Sequence, residues 1–195
     1  MPITDDEVRQ VLDTTLSRFL TNEVQEILEG VNERSNCGRL AIYMHETAQQ
    51  YGIHEIYLVD VEYNRKQQGQ IKTIMNGKGR VVRVNCDVIL HSRGVILNQD
   101  NLIAVEVKKV DRPYDEKQKD RERLRALTKT HLDDFCSGDG RTPPEHVCGY
   151  MLGVFIELDR FNFQCKVEYY RKGRKFEEAS IPFGRDIIAQ QVALR

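Results

Sequence analysis

RVVRVNCDVILHSRGVILNQDNLIAVEVKK, residues 80–109, decides how the rest of the chain is read. Residues 81–91 and 102–110 are rich in Val, Ile and Leu, and a Gly-containing connection at 92–101 separates them, the pattern of two strands joined as a hairpin. Asp87 interrupts the first strand, and Glu106 and Lys108 interrupt the second. Side chains alternate across a strand, so Glu106 and Lys108 share a face with Leu102 and Ala104, while Ile103, Val105 and Val107 point the other way. Pairing of the two strands brings Asp87 beside them. Uncompensated burial of a carboxylate costs several kcal/mol, so two of them converging near a lysine call for a cation or a tight ion pair. Mg²⁺ takes oxygen ligands and commonly one or two carboxylates, which suits Asp87, Glu106 and the backbone carbonyl of Val107.

Upstream, the chain predicts a helix from residue 32 or 35 to about 51, closed by Gly52, with Cys37, Leu40, Met44 and Tyr51 on one face. Glu33 falls on that stripe. Glu46 lies roughly 220° around the helix from Glu33 and faces water. A strand follows at 56–63, then a polar connection at 67–79 with Gly69, Gly77 and Gly79 as turn residues. Tyr63, Asn64 and Arg65 end that strand, where they can line a cleft, although such a residue more often caps or fills a core. Cys86 neighbours Asp87, and alternation turns its side chain to the opposite face, as core.

Downstream of Pro113, residues 115–132 read as a helix whose inner face carries Leu124, Leu127 and His131; tracing that face back gives Asp120 and Lys117. A Gly/Pro-rich loop at 137–144 precedes an apolar central strand at 147–158. Residues 161–169 alternate apolar with polar, as a half-buried edge strand does. A basic tract at 171–175 and a short helix from about 185 complete the chain. At the other end, Thr4 to Glu7 has capping-box spacing and opens a helix ending near residue 20. Thr21 and Asn22 can cap a second short helix that Gly30 stops. The expected organisation is an N-terminal helical extension, 1–31, and one α/β domain, 32–195.

A chain of 195 residues, 40% hydrophobic, can bury one sizeable core. Lys+Arg 29 against Asp+Glu 30 leaves no global charge to attract a polyanion, so any nucleic-acid site is a local patch. The five cysteines include no C-x-x-C pair, which argues against a disulfide framework or zinc ribbon and for reduced thiols in a cytoplasmic protein. His45, His54, His91, His131 and His146 lack metal-ligand spacing. No apolar run approaches the roughly 18 residues of a membrane span, so no membrane partner is expected. The charges from Lys109 to Lys129 alternate in sign and read mainly as a solvated helix face, those nearest the motif being candidates for phosphate contact.

Helix, three strands, helix, strand, with Asp on the second strand and Glu-x-Lys on the third, resembles the core of the PD-(D/E)xK nucleases, the restriction-endonuclease-like superfamily. The resemblance covers residues 32–158 and implies a central mixed β-sheet flanked by helices (αβββαβ). Carried over residue by residue, Asp87 and Glu106 match the metal-binding acids for Mg²⁺ or Mn²⁺, and Lys108 the catalytic lysine. Glu33 matches the first-helix glutamate that many members place near the metal, and Lys117 and Asp120 fall where members keep further polar residues. Cys86 stands where the motif has proline, and 19 positions separate Asp87 from Glu106 across a hairpin of variable length. The implied activity is metal-dependent hydrolysis of a nucleic-acid phosphodiester, DNA favoured over RNA, with a homodimer as one way to cut two strands. The competing reading is a structural ion-pair cluster in a non-catalytic binding domain of the same fold.

Overall fold

In the computed structural model, residues 2–62, 73–75, 81–83, 86–129 and 149–184 are described. Thr4 accepts the Glu7 N–H and the Glu7 carboxylate accepts the Thr4 N–H, so the capping box starts helix α1 (Asp5–Asn22). The helix outruns its expected end near residue 20, which puts Thr21 and Asn22 inside it. Helix α2 (Val24–Glu29) therefore has no side-chain cap, and Gly30 closes it at φ +78°. Asn32 caps helix α3 (Glu33–Gln50) by accepting the Ser35 N–H. Cys37, Leu40 and Met44 are buried on its inner stripe, whereas Tyr51, expected with them, lies past the helix end and is 41% exposed.

Strands β1 (Leu58–Val61), β2 (Thr73–Met75), β3 (Val81–Arg83), β4 (Val88–His91) and β5 (Asn101–Lys109) follow, then helix α4 (Tyr114–Leu127) and strands β6 (Leu152–Asp159), β7 (Gln164–Arg171) and β8 (Arg174–Pro182). Six of them form one mixed sheet in the order β1-β4-β5-β6-β7-β8. Only the β5–β6 pair is parallel, with α4 in the crossover between them; the other neighbours are antiparallel.

Two expectations are corrected. The strand expected at 81–91 is two strands: β3 pairs with β2 in a separate two-stranded sheet, within what read as a polar connection, and only β4 joins the main sheet. The alternating segment is not an edge, because β7 is flanked by β6 and β8. The edge is β8, reached through a tight turn with Lys172 at φ +49° and Gly173 at φ +73°. All of β8 is exposed or half-buried, and only Ala179 and Ile181 pack against the core, so its apolar alternation is too short to read. Tyr63, Asn64, Arg65, Gly69, Gly77, Gly79, His131, Cys136, His146, Cys148, the 137–144 loop and the helix expected from 185 lie outside the described residues.

Each sheet face is covered by helix. On one, Val8, Leu12, Leu16 and Phe19 of α1 and Leu40 and Met44 of α3 pack with Ile103, Val105, Val107, Val154 and Ile156. Leu102 joins this cluster instead of the Glu106 face, beside the register shift between Leu90 and His91. On the other face Cys86, Ile89, Ala104, Phe155 and Tyr170 meet Leu124 and Leu127 of α4. Burying a side chain such as Leu, Ile or Phe contributes about 1.5–3 kcal/mol, so the larger α1–α3 face supplies most of the apolar stabilisation.

The α4 face is close-fitting at Gly153, where an added Cβ would lie 2.8 Å from Thr128 Cγ2 and 3.2 Å from Tyr170 Cβ. Gly153→Ala is expected to destabilise by about 1–3 kcal/mol through overpacking, read by urea unfolding. A loss below about 0.5 kcal/mol would mean that Thr128 yields freely and the contact does not fix the C-terminal end of α4.

Candidate active site

Strand β5 outruns β4. The β4–β5 ladder begins at Val88↔Val105, so residues 106–109 extend beyond β4 while remaining paired with β6 on the other side. The backbone N–H groups along the uncovered edge need acceptors. Two acidic side chains provide them: Asp87 Oδ2 accepts the Val107 N–H at 2.8 Å, and Glu33 Oε1, from the first turn of α3, accepts the Lys109 N–H at 3.1 Å. Asp87 and Glu33 are thus fixed to the end of β5 by main-chain bonds that exist only because β4 stops short.

Lys108 lies among them. Its Nζ is 3.2 Å from Asp120 Oδ2, 3.7 Å from Asp87 Oδ2 and 4.0 Å from Glu33 Oε2, and it donates to the Val107 carbonyl at 3.3 Å. Burial pulls the Lys108 pKa down, but the charges of Asp87, Asp120 and Glu106 outweigh it and hold the pKa above its ordinary value. Lys108 is therefore an ammonium serving as the internal counter-ion of an acidic cluster.

Glu106 is fully buried. Its Oε1 accepts from the Arg123 guanidinium and from the Cys86 thiol, the latter at 3.3 Å, while its Oε2 is buried without a hydrogen-bond partner. Burial raises the Glu106 carboxyl to about 8, more than the neighbouring Arg123 charge lowers it, and the negative charges of Asp87 and Asp120 add to the rise. Asp87 is also raised by burial; the Lys108 charge, the Val107 N–H and hydrogen bonding with Glu106 draw it only part of the way back. Both carboxyls are thus harder to ionise than usual although each has a cationic neighbour, Lys108 beside Asp87 and Arg123 beside Glu106.

The structure brings Asp87, Glu106, Lys108, Glu33, the Val107 carbonyl and Asp120 together. Lys117 is turned to Glu157, 2.7 Å away, and to the Val110 carbonyl at 3.0 Å. Glu46 is on the far side of α3, half-exposed and paired with Arg18. Among the described residues no group of three or more His, Cys, Asp or Glu side chains is arranged to hold a metal ion, the ammonium of Lys108 standing between the carboxylates instead.

Two partners escaped the sequence reading. Cys86 was expected on the opposite face, but it precedes β4, where strand alternation does not apply, and its thiol reaches Glu106. Arg123 belongs by sequence to a charge run that reads as solvated, yet only 22% of its side chain is exposed and it also pairs with Asp120 at 3.1 Å. Lys117 and Arg121 of the same run are equally turned inward, to Glu157 and Glu168. The available signal was position: Arg123 is three residues from Asp120 and adjacent to Leu124, on the flank of the inner face.

Comparison with protein-family models, with curated proteins and with solved structures finds no match for this chain. Among the described residues no helix is long and apolar enough to cross a membrane.

Proposed function

We propose that the chain is a metal-dependent phosphodiesterase that hydrolyses nucleic acid, DNA in preference to RNA, at the end of β5. The observation that carries this reading is the convergence of Asp87, Glu106 and Lys108 there, with one buried carboxylate oxygen of Glu106 left without a donor. The order α3, β1, β4, β5, α4, β6 in the chain, with an antiparallel β1-β4-β5 unit and a parallel β6, supports a restriction-endonuclease-like core.

The donor set suits a hard divalent ion: Asp87, Glu106 and the Val107 carbonyl are oxygen ligands, and the raised Glu106 and Asp87 carboxyls are those a cation would ionise. Bound Mg²⁺ or Mn²⁺ supplies Lewis-acid polarisation of the phosphodiester. Lys108, held as an ammonium, neutralises charge developing on the attacked phosphate and orients the water that displaces the leaving oxygen. Glu33, anchored by the Lys109 N–H and paired with Arg112 at 3.2 Å, lies beside Lys108 and adds a further acceptor for that water. The described cysteines, Cys37, Cys86 and Cys165, are free and buried, which agrees with a reducing, cytoplasmic setting.

Cleavage of duplex, single-stranded and branched DNA and of RNA is measured with Mg²⁺ or Mn²⁺, for the parent and for Asp87→Ala. The expected result is metal-dependent cutting by the parent and a loss on the order of 10³-fold or more in the variant, as for removal of a group essential to transition-state charge. A parent that cuts none of these, or a variant that cuts as well, leaves the acidic cluster as a structural ion-pair network in a binding domain.

A further inference from the structure

Strand β5 alone does not orient its glutamate. Glu106 has no solvent contact, and its two carboxylate oxygens have unequal surroundings: Oε1 receives Arg123 and Cys86, while Oε2 has no donor, the carboxyl lying beside that of Asp87. The cysteine is a weak donor, so the guanidinium is the main restraint on the carboxylate plane. Arg123 also lies 3.1 Å from Asp120, and Asp120 lies 3.2 Å from Lys108. One turn of α4 therefore grips both members of the Glu-x-Lys pair, Arg123 taking the glutamate and Asp120 the lysine ammonium.

We infer that Arg123 is a positioning residue: it fixes Glu106 through one oxygen and thereby leaves the other free for a divalent cation. The inference rests on the proposed metal-dependent function. Two effects of the guanidinium oppose each other. Its charge repels a cation nearby, but it holds a fully buried carboxylate in one orientation, and a metal ligand must be ordered. Orientation outweighs repulsion here because the guanidinium charge is already shared with Asp120, a carboxylate 95% buried beside it.

The test reads Mn²⁺ binding without substrate, by the electron paramagnetic resonance signal of the free ion, in the parent, Arg123→Gln, Arg123→Lys and Gly153→Ala. Arg123→Gln is expected to weaken Mn²⁺ binding by about 10- to 100-fold, the usual consequence of removing a side chain that orients a metal ligand. Arg123→Lys, which keeps the charge but loses the planar fork, is expected in between, weaker than the parent by at least about threefold. Gly153→Ala perturbs the α4 contact elsewhere, so it lowers stability without moving the Mn²⁺ affinity; a merely structural Arg123 would behave the same way. Parental or tighter affinity in Arg123→Gln overturns the positioning role while leaving the metal site standing. Should that variant not fold, the lysine variant decides, and an affinity within twofold of the parent overturns the role. A parent that binds no Mn²⁺ overturns the proposed function, and this role with it.

Discussion

Lys108→Met is expected to lower DNA cleavage by about 10²–10³-fold while keeping most of the length of the side chain, because on the proposed function it removes one preorganised positive charge from beside the reacting phosphate. The same substitution leaves the acids unequally provided for. Asp120 retains Arg123 at 3.1 Å and Glu33 retains Arg112 and the Lys109 N–H, but Asp87 keeps only its bond from the Val107 N–H and its neighbour Glu106. Breaking a partly buried ion cluster in this way is expected to destabilise the metal-free protein by about 3 kcal/mol, at the lower end for such losses because 14% of the lysine side chain is exposed. On the proposed function, a divalent metal would supply the missing positive charge. Added Mg²⁺ should raise the Tm of Lys108→Met more than that of the parent. Cleavage within threefold of the parent, or an equal thermal response to Mg²⁺, would remove Lys108 from the site chemistry.

Glu106→Gln addresses the other half of the motif and yields an effect of similar size in stability. The Glu106 carboxyl moves from its ordinary value of 4.5 to about 8 on folding, chiefly through burial. Between those values the folded chain holds a proton that the unfolded chain has released. Stability associated with the protonated form is thus complete below about 4.5 and is lost as pH rises through about 8. In EDTA the parent should lose stability relative to Glu106→Gln by about 1 kcal/mol per pH unit from pH 5 to 8, approaching the limit of one proton. The raised Asp87 adds a contribution of the same sign. Acids held below their ordinary values, such as Asp60 and Glu168, contribute in the opposite sense, but only at lower pH, where they titrate. Urea unfolding at pH 5, 6, 7 and 8 gives the comparison. Parallel pH profiles for the two proteins would show that Glu106 is ionised throughout and that Arg123 satisfies it fully.

Apolar runs and caps made most of this legible in advance. The Thr4 capping box, the Gly30 stop and the helical phase of Glu33 relative to Cys37, Leu40 and Met44 depend on local geometry, which neighbouring residues specify. Strand β5 was legible because its apolar sequence is interrupted at only two positions on one face. The break between β3 and β4 was not, since Val and Arg at 81–84 favour extended backbone whichever sheet receives it, and partner choice is non-local. Strand β8 was hidden by exposure: Lys175, Glu177 and Glu178 on an edge look like a charged loop. Arg123 illustrates the limit for a site. A list of charges gives their spacing but not which of them have a buried counter-charge waiting on another element.

The parallel pairing of β5 with β6 has one more consequence, for how the chain finds its fold. Its register sets Glu106 against Phe155 and Lys108 against Glu157. A slip by a single residue would rotate both charged side chains into the layer that holds the apolar Ile103, Val105, Val107, Val154 and Ile156. Misregistered chains are thereby penalised by several kcal/mol for each ion buried on the wrong side. The two residues that interrupt the most apolar strand act as a proofreading mark during assembly, and replacing them with leucine would make wrong pairings less distinguishable from the right one.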